Sequence, residues 1–141
     1  MSYATQADLV ARYGETEIIQ LSDRANTGEI DAAVVAAKIA DADAEIDAYL
    51  AARFDLPLQV VPTVLQRVAC DITRYHLYDD RATEDVVRRY KAAIEFLLAV
   101  LKGTVSIGVD AAGAEPAGTD LPMIDATPPT FGRRLLGDFT R

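Results

Sequence analysis

Apolar positions recur at helical spacing through the first hundred residues and at strand spacing only once. Thr5 followed by Asp8, Leu9, Val10 and Tyr13, with Gly14 behind them, reads as a capped short helix over residues 6–13. Glu15 and Glu17 then precede Ile18, Ile19 and Leu21, which predicts a second short helix with its acids at the positive end of the dipole. Asn26, Thr27 and Gly28 break it. From Glu29 to Arg53 there is neither Gly nor Pro, and Val35, Ile39, Ala42, Ile46 and Tyr49 recur on one face. The pattern predicts one long helix of about 37 Å, at about 1.5 Å per residue. Pro57 and the Val61-Pro62 pair force an extended connection, since the residue before a proline avoids the helical region. Helical periodicity resumes over Thr63–Tyr78 through Leu65, Val68, Ile72 and Tyr75. Thr83 caps the last helix, which carries Glu84 and Asp85 in its first turn, Val86, Tyr90, Ile94, Leu97 and Leu101 as its stripe, and ends at Lys102-Gly103.

Val105, Ile107 and Val109 alternate with Ser106 and Gly108, the pattern of a short half-buried strand. A lone strand needs an edge to pair with. The extended piece around Val60, the Leu121–Ile124 stretch and a neighbouring subunit are the candidates. Asp110–Thr130 is rich in Gly, Ala, Pro and Asp and lacks basic residues, so it reads as an arm. Residues Pro128–Arg141 reverse that balance with Arg133, Arg134 and Arg141 against Asp138, and add Phe131, Leu135, Leu136 and Phe139. That is more apolar surface than a free end carries, and it points to a docking groove. The expected fold class is all-α: a small bundle of two short N-terminal helices, one long helix and two more, with a short β segment and an extended C-terminal arm. Residues 1–103 form the helical body and 104–141 the β segment, arm and tail.

A chain of 141 residues, half of them apolar, has enough core for one domain. Its net charge of −8 argues against gripping DNA through phosphates, which takes clustered Lys and Arg. Cys70, the only cysteine, sits inside an apolar helical pattern, so neither an internal disulfide nor a Cys-based zinc site is available. No basic-then-apolar leader opens the sequence and no segment approaches about 20 uninterrupted apolar residues, so the expectation is a soluble, non-exported protein.

Candidate chemistry is thin. The run Asp41, Asp43, Glu45 and Asp47 superficially resembles the start of a calcium loop, but Ile46 stands where the loop needs glycine and Ala52 where it needs the closing glutamate. A solvated acidic face fits these four better. His76, the only histidine, has acids nearby in Asp71, Asp79 and Asp80, each equally well explained as a surface group. Cys70 reads as a small buried hydrophobe, with only Arg67 and Arg74 near enough in sequence to activate a thiolate. Arg81, Arg88, Arg89 and Lys91 form one basic cluster. Arg88 and Arg89 suit i,i+4 pairs with Glu84 and Asp85, or contact with an acidic face of an adjacent copy. No cofactor or metal is expected.

Four blocks carry a resemblance: Tyr3 to Arg24, Asp43 to Leu58, Ala69 to Tyr78, and Arg89-Tyr-Lys-Ala-Ala-Ile94 running on to Gly103-Thr-Val-Ser-Ile107. In this order and spacing the chain resembles the small head-tail connectors, or adaptors, of Mu-like tailed phages. The resemblance implies a non-enzymatic head-completion protein of the virion neck, assembled in the host cytoplasm. It would bind beneath the portal as a dodecameric ring, join it to a neck stopper or tail-completion protein, and let DNA pass without binding it specifically, away from any membrane. On that reading Phe131, Arg133, Arg134, Leu135, Leu136 and Phe139 meet the portal. Arg81, Arg88, Arg89, Val105 and Ile107 meet neighbouring subunits, and Asp41, Asp43, Glu45 and Asp47 face the channel. The competing reading is an oligomeric helical regulator or interaction module.

Overall fold

The computed structural model describes residues 1–116. Thr5 opens α1 (Gln6–Tyr13) with a reciprocal capping box: Thr5 N donates to Asp8 Oδ2 at 2.8 Å and Asp8 N to Thr5 Oγ1 at 3.3 Å. Gly14, at φ 90°, turns the chain into α2 (Glu15–Ser22). The Asp23 carboxylate accepts from the backbone N–H groups of Thr27 and Gly28 and so closes the loop that follows.

The long helix starts three residues later than its apolar pattern suggests. α3 spans Ala32–Leu50, because Asp31 accepts from Ala33 N and Val34 N and so takes the N-cap. Its far end stops at Leu50, and Arg53, read as helical, instead donates to Val100 O at 2.7 Å. α4 (Thr63–Tyr78) begins directly behind Pro62, and a single 3-10 turn, Asp79–Arg81, leads to α5 (Glu84–Lys102). Gly103 closes α5 in the left-handed region at φ 79°, beneath the Arg53 guanidinium. Arg53 thereby adds a second donor to a carbonyl that already accepts from Gly103 N at 3.0 Å.

α4 packs against both α3 and α5, which also touch one another, while α1 and α2 lie across α3 and α4. Val35, Ile46, Leu65, Val68, Ile72 and Leu97 are fully buried, as the stripes require. Ile39, Tyr90 and Ile94 reach the core only at its edge. Leu9 and Ile18 bring the two short helices into the same cluster. Cys70 is buried there too, and burial pushes its thiol up to about 11. No helix among the described residues is long and apolar enough to cross a membrane.

The expected β segment does not form; the described residues contain no strand. Of its three apolar residues Ile107 is buried in the core and Val109 packs at its edge, while Val105 is exposed and Gly108 takes φ 84°. The next residues do meet the extended piece around Val60, but through separate bonds instead of a ladder. Asp55 N donates to Ala111 O at 2.9 Å, and Gln59 N and Val60 N share Gly113 O at 3.0 and 3.2 Å. Gly113 fits because a Cβ there would come within 2.9 Å of Leu58 Cδ2. Three alternating residues interrupted by a positive-φ glycine offer too few consecutive backbone groups for a strand.

Candidate functional site

One polar cluster joins all three long helices. Tyr90 Oη of α5 donates to Glu45 Oε1 of α3 at 2.8 Å, and His76 Nε2 of α4 lies 3.1 Å from Glu45 Oε2. Tyr75 stacks on Tyr90 at 4.0 Å between ring centroids, and the His76 ring meets both tyrosines edge-on. Burial, together with its bond to Glu45, raises the Tyr90 phenol above its ordinary value. His76 therefore has a carboxylate partner, but a distant one in sequence and none of the three nearby aspartates. Among the described residues no hydroxyl or thiol shares a hydrogen bond with it. The chemistry on display is a clamp between helices.

The other three acids of the same run go elsewhere. Asp43, 9% exposed, accepts from Tyr3 N at 3.0 Å, and Asp47 accepts from Tyr3 Oη. Tyr3 is itself 3% exposed, so the N-terminal segment is strapped across α3. Desolvation raises the Asp43 carboxyl above its ordinary 3.8 despite the bond from Tyr3 N. The four carboxylates do not make one solvated face, because the tertiary structure consumes three of them and leaves Asp41 exposed.

The cations divide in the same way. Arg74 Nε donates to Glu17 Oε1 at 2.6 Å, its guanidinium sits 4.5 Å from the centre of the Tyr13 ring, and Tyr78 Oη also donates to Glu17. This ties α4 to both short helices. Asp85 takes Arg89 at 3.0 Å and also Arg88, the latter at i,i+3 in place of the expected Glu84 pair. The hydrogen bond from Arg89, then the one from Arg88, holds the Asp85 carboxyl below its ordinary value. Arg81 is exposed in the 3-10 turn. Arg88 also borders a shallow hollow of about 550 Å³ on the outer face of α5, floored by Ala82, Val87 and Ala92 and edged by Glu84, Lys91 and Glu95.

The structure thus brings Arg88 and Arg89 together, sets Arg81 and Val105 apart on the surface, and spends Ile107 on this chain's own core. Phe131, Arg133, Arg134, Leu135, Leu136 and Phe139 lie outside the described residues. Sequence reasoning did not anticipate the Tyr3 strap or the Glu17–Arg74 link. The available signal for the first was Tyr3 itself, an aromatic two residues ahead of the Thr5 N-cap.

This helical bundle has close kin among phage proteins. The family described as Bacteriophage Mu, Gp36 matches residues 3–125. "Gene product J" of Escherichia phage Mu is 40% identical over 139 residues, covering 97% of this chain and 99% of the relative. "Mu-like prophage FluMu protein gp36" of Haemophilus influenzae is 37% identical over 107 residues, 76% of each chain. The chain belongs to the Mu Gp36 family and is a protein of Mu-like phages.

Proposed function

We propose that this protein is a head-tail adaptor of the virion neck: a homo-oligomeric ring beneath the portal that joins it to a stopper or tail-completion protein. Family membership across residues 3–125 carries this reading, together with the four sequence blocks that resemble the connectors. The geometry supports it in kind. The conspicuous polar groups are used to lock helices together, which suits a rigid adaptor whose work is assembly and not turnover. DNA passes through the ring without specific contact, consistent with the charge of −8.

Within that reading the basic, apolar end at Phe131–Arg141 docks on the portal, and Arg81, Arg88, Arg89 and Val105 serve subunit contact. Asp41 is the acid of its run available to a channel. Gel filtration and negative-stain imaging with purified portal test the proposal: a ring on the portal is the expected result. Deleting residues 129–141 should leave the helical body folded and abolish attachment. A full-length protein that neither forms rings nor binds portal would leave the helical regulator as the better reading.

A further inference from the structure

Among the described residues four large apolar side chains are exposed: Met1, Val60, Leu98 and Val105. Two of them flank the place where the described chain leaves the body. Val60 N donates to Gly113 O at 3.2 Å, and Val105 shares a hollow of about 260 Å³ with Arg53, Phe54, Val109 and Ala111. Leu98 lies on a line that runs from Ile94, at the edge of the core, through half-buried Leu101 to Val105. Spacings of four, three and four put these residues on one side of α5 and the turn behind it. α3 and α4 are the only described helices in contact with α5, and both leave Leu98 open.

We propose that this line is covered by the chain's own Leu121–Ile124 segment, with Leu121, Met123 and Ile124 over Leu98, Leu101 and Val105. This docking goes beyond the adaptor reading and does not rest on it. The reach is short. Ten residues lead from Ala111 to Leu121 and can span about 33 Å, whereas Leu98 stands about 10 Å along the helix from Val105. Charge separates this segment from the other apolar one beyond residue 116. Lys102 and Arg53 are exposed at the lower margin of the line and form no ion pair among the described residues, while Asp110, which borders the same hollow, accepts from Ala114 N at 2.9 Å. Asp120 and Asp125 bracket Leu121–Ile124, so its charge is opposite; Arg133 and Arg134 accompany Phe131 and Leu135, so theirs is like. The family match points the same way, since it runs past the last described residue to 125 and stops short of Phe131. Within the adaptor reading, Phe131–Arg141 then leaves from the end of the body where α3 and α5 finish and stays available to the portal.

Cysteine pairs in the full-length chain test this, because the native Cys70 is fully buried. Under mild oxidation, Leu98→Cys with Met123→Cys, and Val105→Cys with Leu121→Cys, should close an intramolecular disulfide. Each should form at least about tenfold faster than the bond in Ala92→Cys with Met123→Cys, Ala92 being exposed on another side of α5. Mass spectrometry of the unreduced protein reads the bond. Rates no faster than the Ala92 control overturn the proposal. Bonds that form only between chains, as in a mixture of the Leu98→Cys and Met123→Cys single variants, also overturn it and give the face to a second copy. Hydrogen exchange supplies an arm without cysteines. The amides of Met123 and Ile124 should exchange at least about tenfold more slowly in wild type than in Leu98→Asp, whose exposed position spares the core. Equal exchange in the two proteins overturns the docking. A chain that passes both tests yet fails to bind portal overturns the adaptor reading alone.

Discussion

Glu45 on α3 and His76 on α4, separated by 31 residues in sequence, sit 3.1 Å apart, and the same carboxylate accepts from Tyr90 of α5. One acid thereby cross-links the three helices of the bundle. Because the cluster is half-exposed, each bond is worth the lower part of the usual range. Glu45→Ala should cost about 1 kcal/mol, read as a shift in urea midpoint at constant slope. Glu45→Ala and Tyr90→Phe should couple by roughly 0.5 kcal/mol or more in a double-mutant cycle. Strict additivity would show that the clamp contributes nothing.

Ile46 is fully buried between the helices, whereas Ile94 sits at the edge of the core. Ile46→Ala should cost about 2–5 kcal/mol through lost burial and a residual cavity, and Ile94→Ala distinctly less. Chemical denaturation of both variants checks the order. A loss under about half a kcal/mol at Ile46 would exclude this core.

Asp43 carries a pH dependence whose sign follows from its environment. Its folded carboxyl titrates above the unfolded value of 3.8, so the native state binds the proton more tightly. The stability linked to that proton is present below the unfolded value and is lost as pH rises through the raised folded one. Asp43→Asn keeps an acceptor for Tyr3 N and removes the titration. The stability difference between variant and wild type should therefore shift in favour of the variant between acid and neutral pH, as followed by urea midpoints across that window. A constant difference would mean that Asp43 does not titrate there.

Gly103 combines a left-handed backbone with a guanidinium 3.0 Å from where a Cβ would stand. Gly103→Ala should cost about 1–2 kcal/mol from the backbone alone. Arg53→Ala should weaken the same helix end by removing one of the two donors to Val100 O. Thermal melts of the two single variants and the double variant should be sub-additive, since both act on one junction.

His76→Ala and Cys70→Ser should still complete heads provided they fold, because the reading here is assembly and not catalysis. Particle counts and electron microscopy of lysates measure this. Folded variants that build normal rings yet yield inactive particles would point back to an enzymatic role.

Local chemistry determined the helices. Thr5, Gly14, Thr83 and Gly103 act within a few residues of themselves, through orphan backbone groups and permitted φ, so their effect is visible in sequence order. The apolar stripes likewise specified most of the core, since a helix buries whichever face repeats every three to four residues. What the tertiary structure alone decided was the use of the polar groups. Asp31 took the cap of α3 and Arg53 left that helix to close α5. Three of four clustered acids were drawn to Tyr3, His76 and Tyr90, between 31 and 45 residues away. Carboxylates and guanidiniums serve solvent, a cap or a distant partner with equal chemical ease, and only the packing of helices places one of these within reach. The same holds for Val105–Val109, whose alternation met no continuous edge and yielded a core anchor at Ile107 in place of a strand.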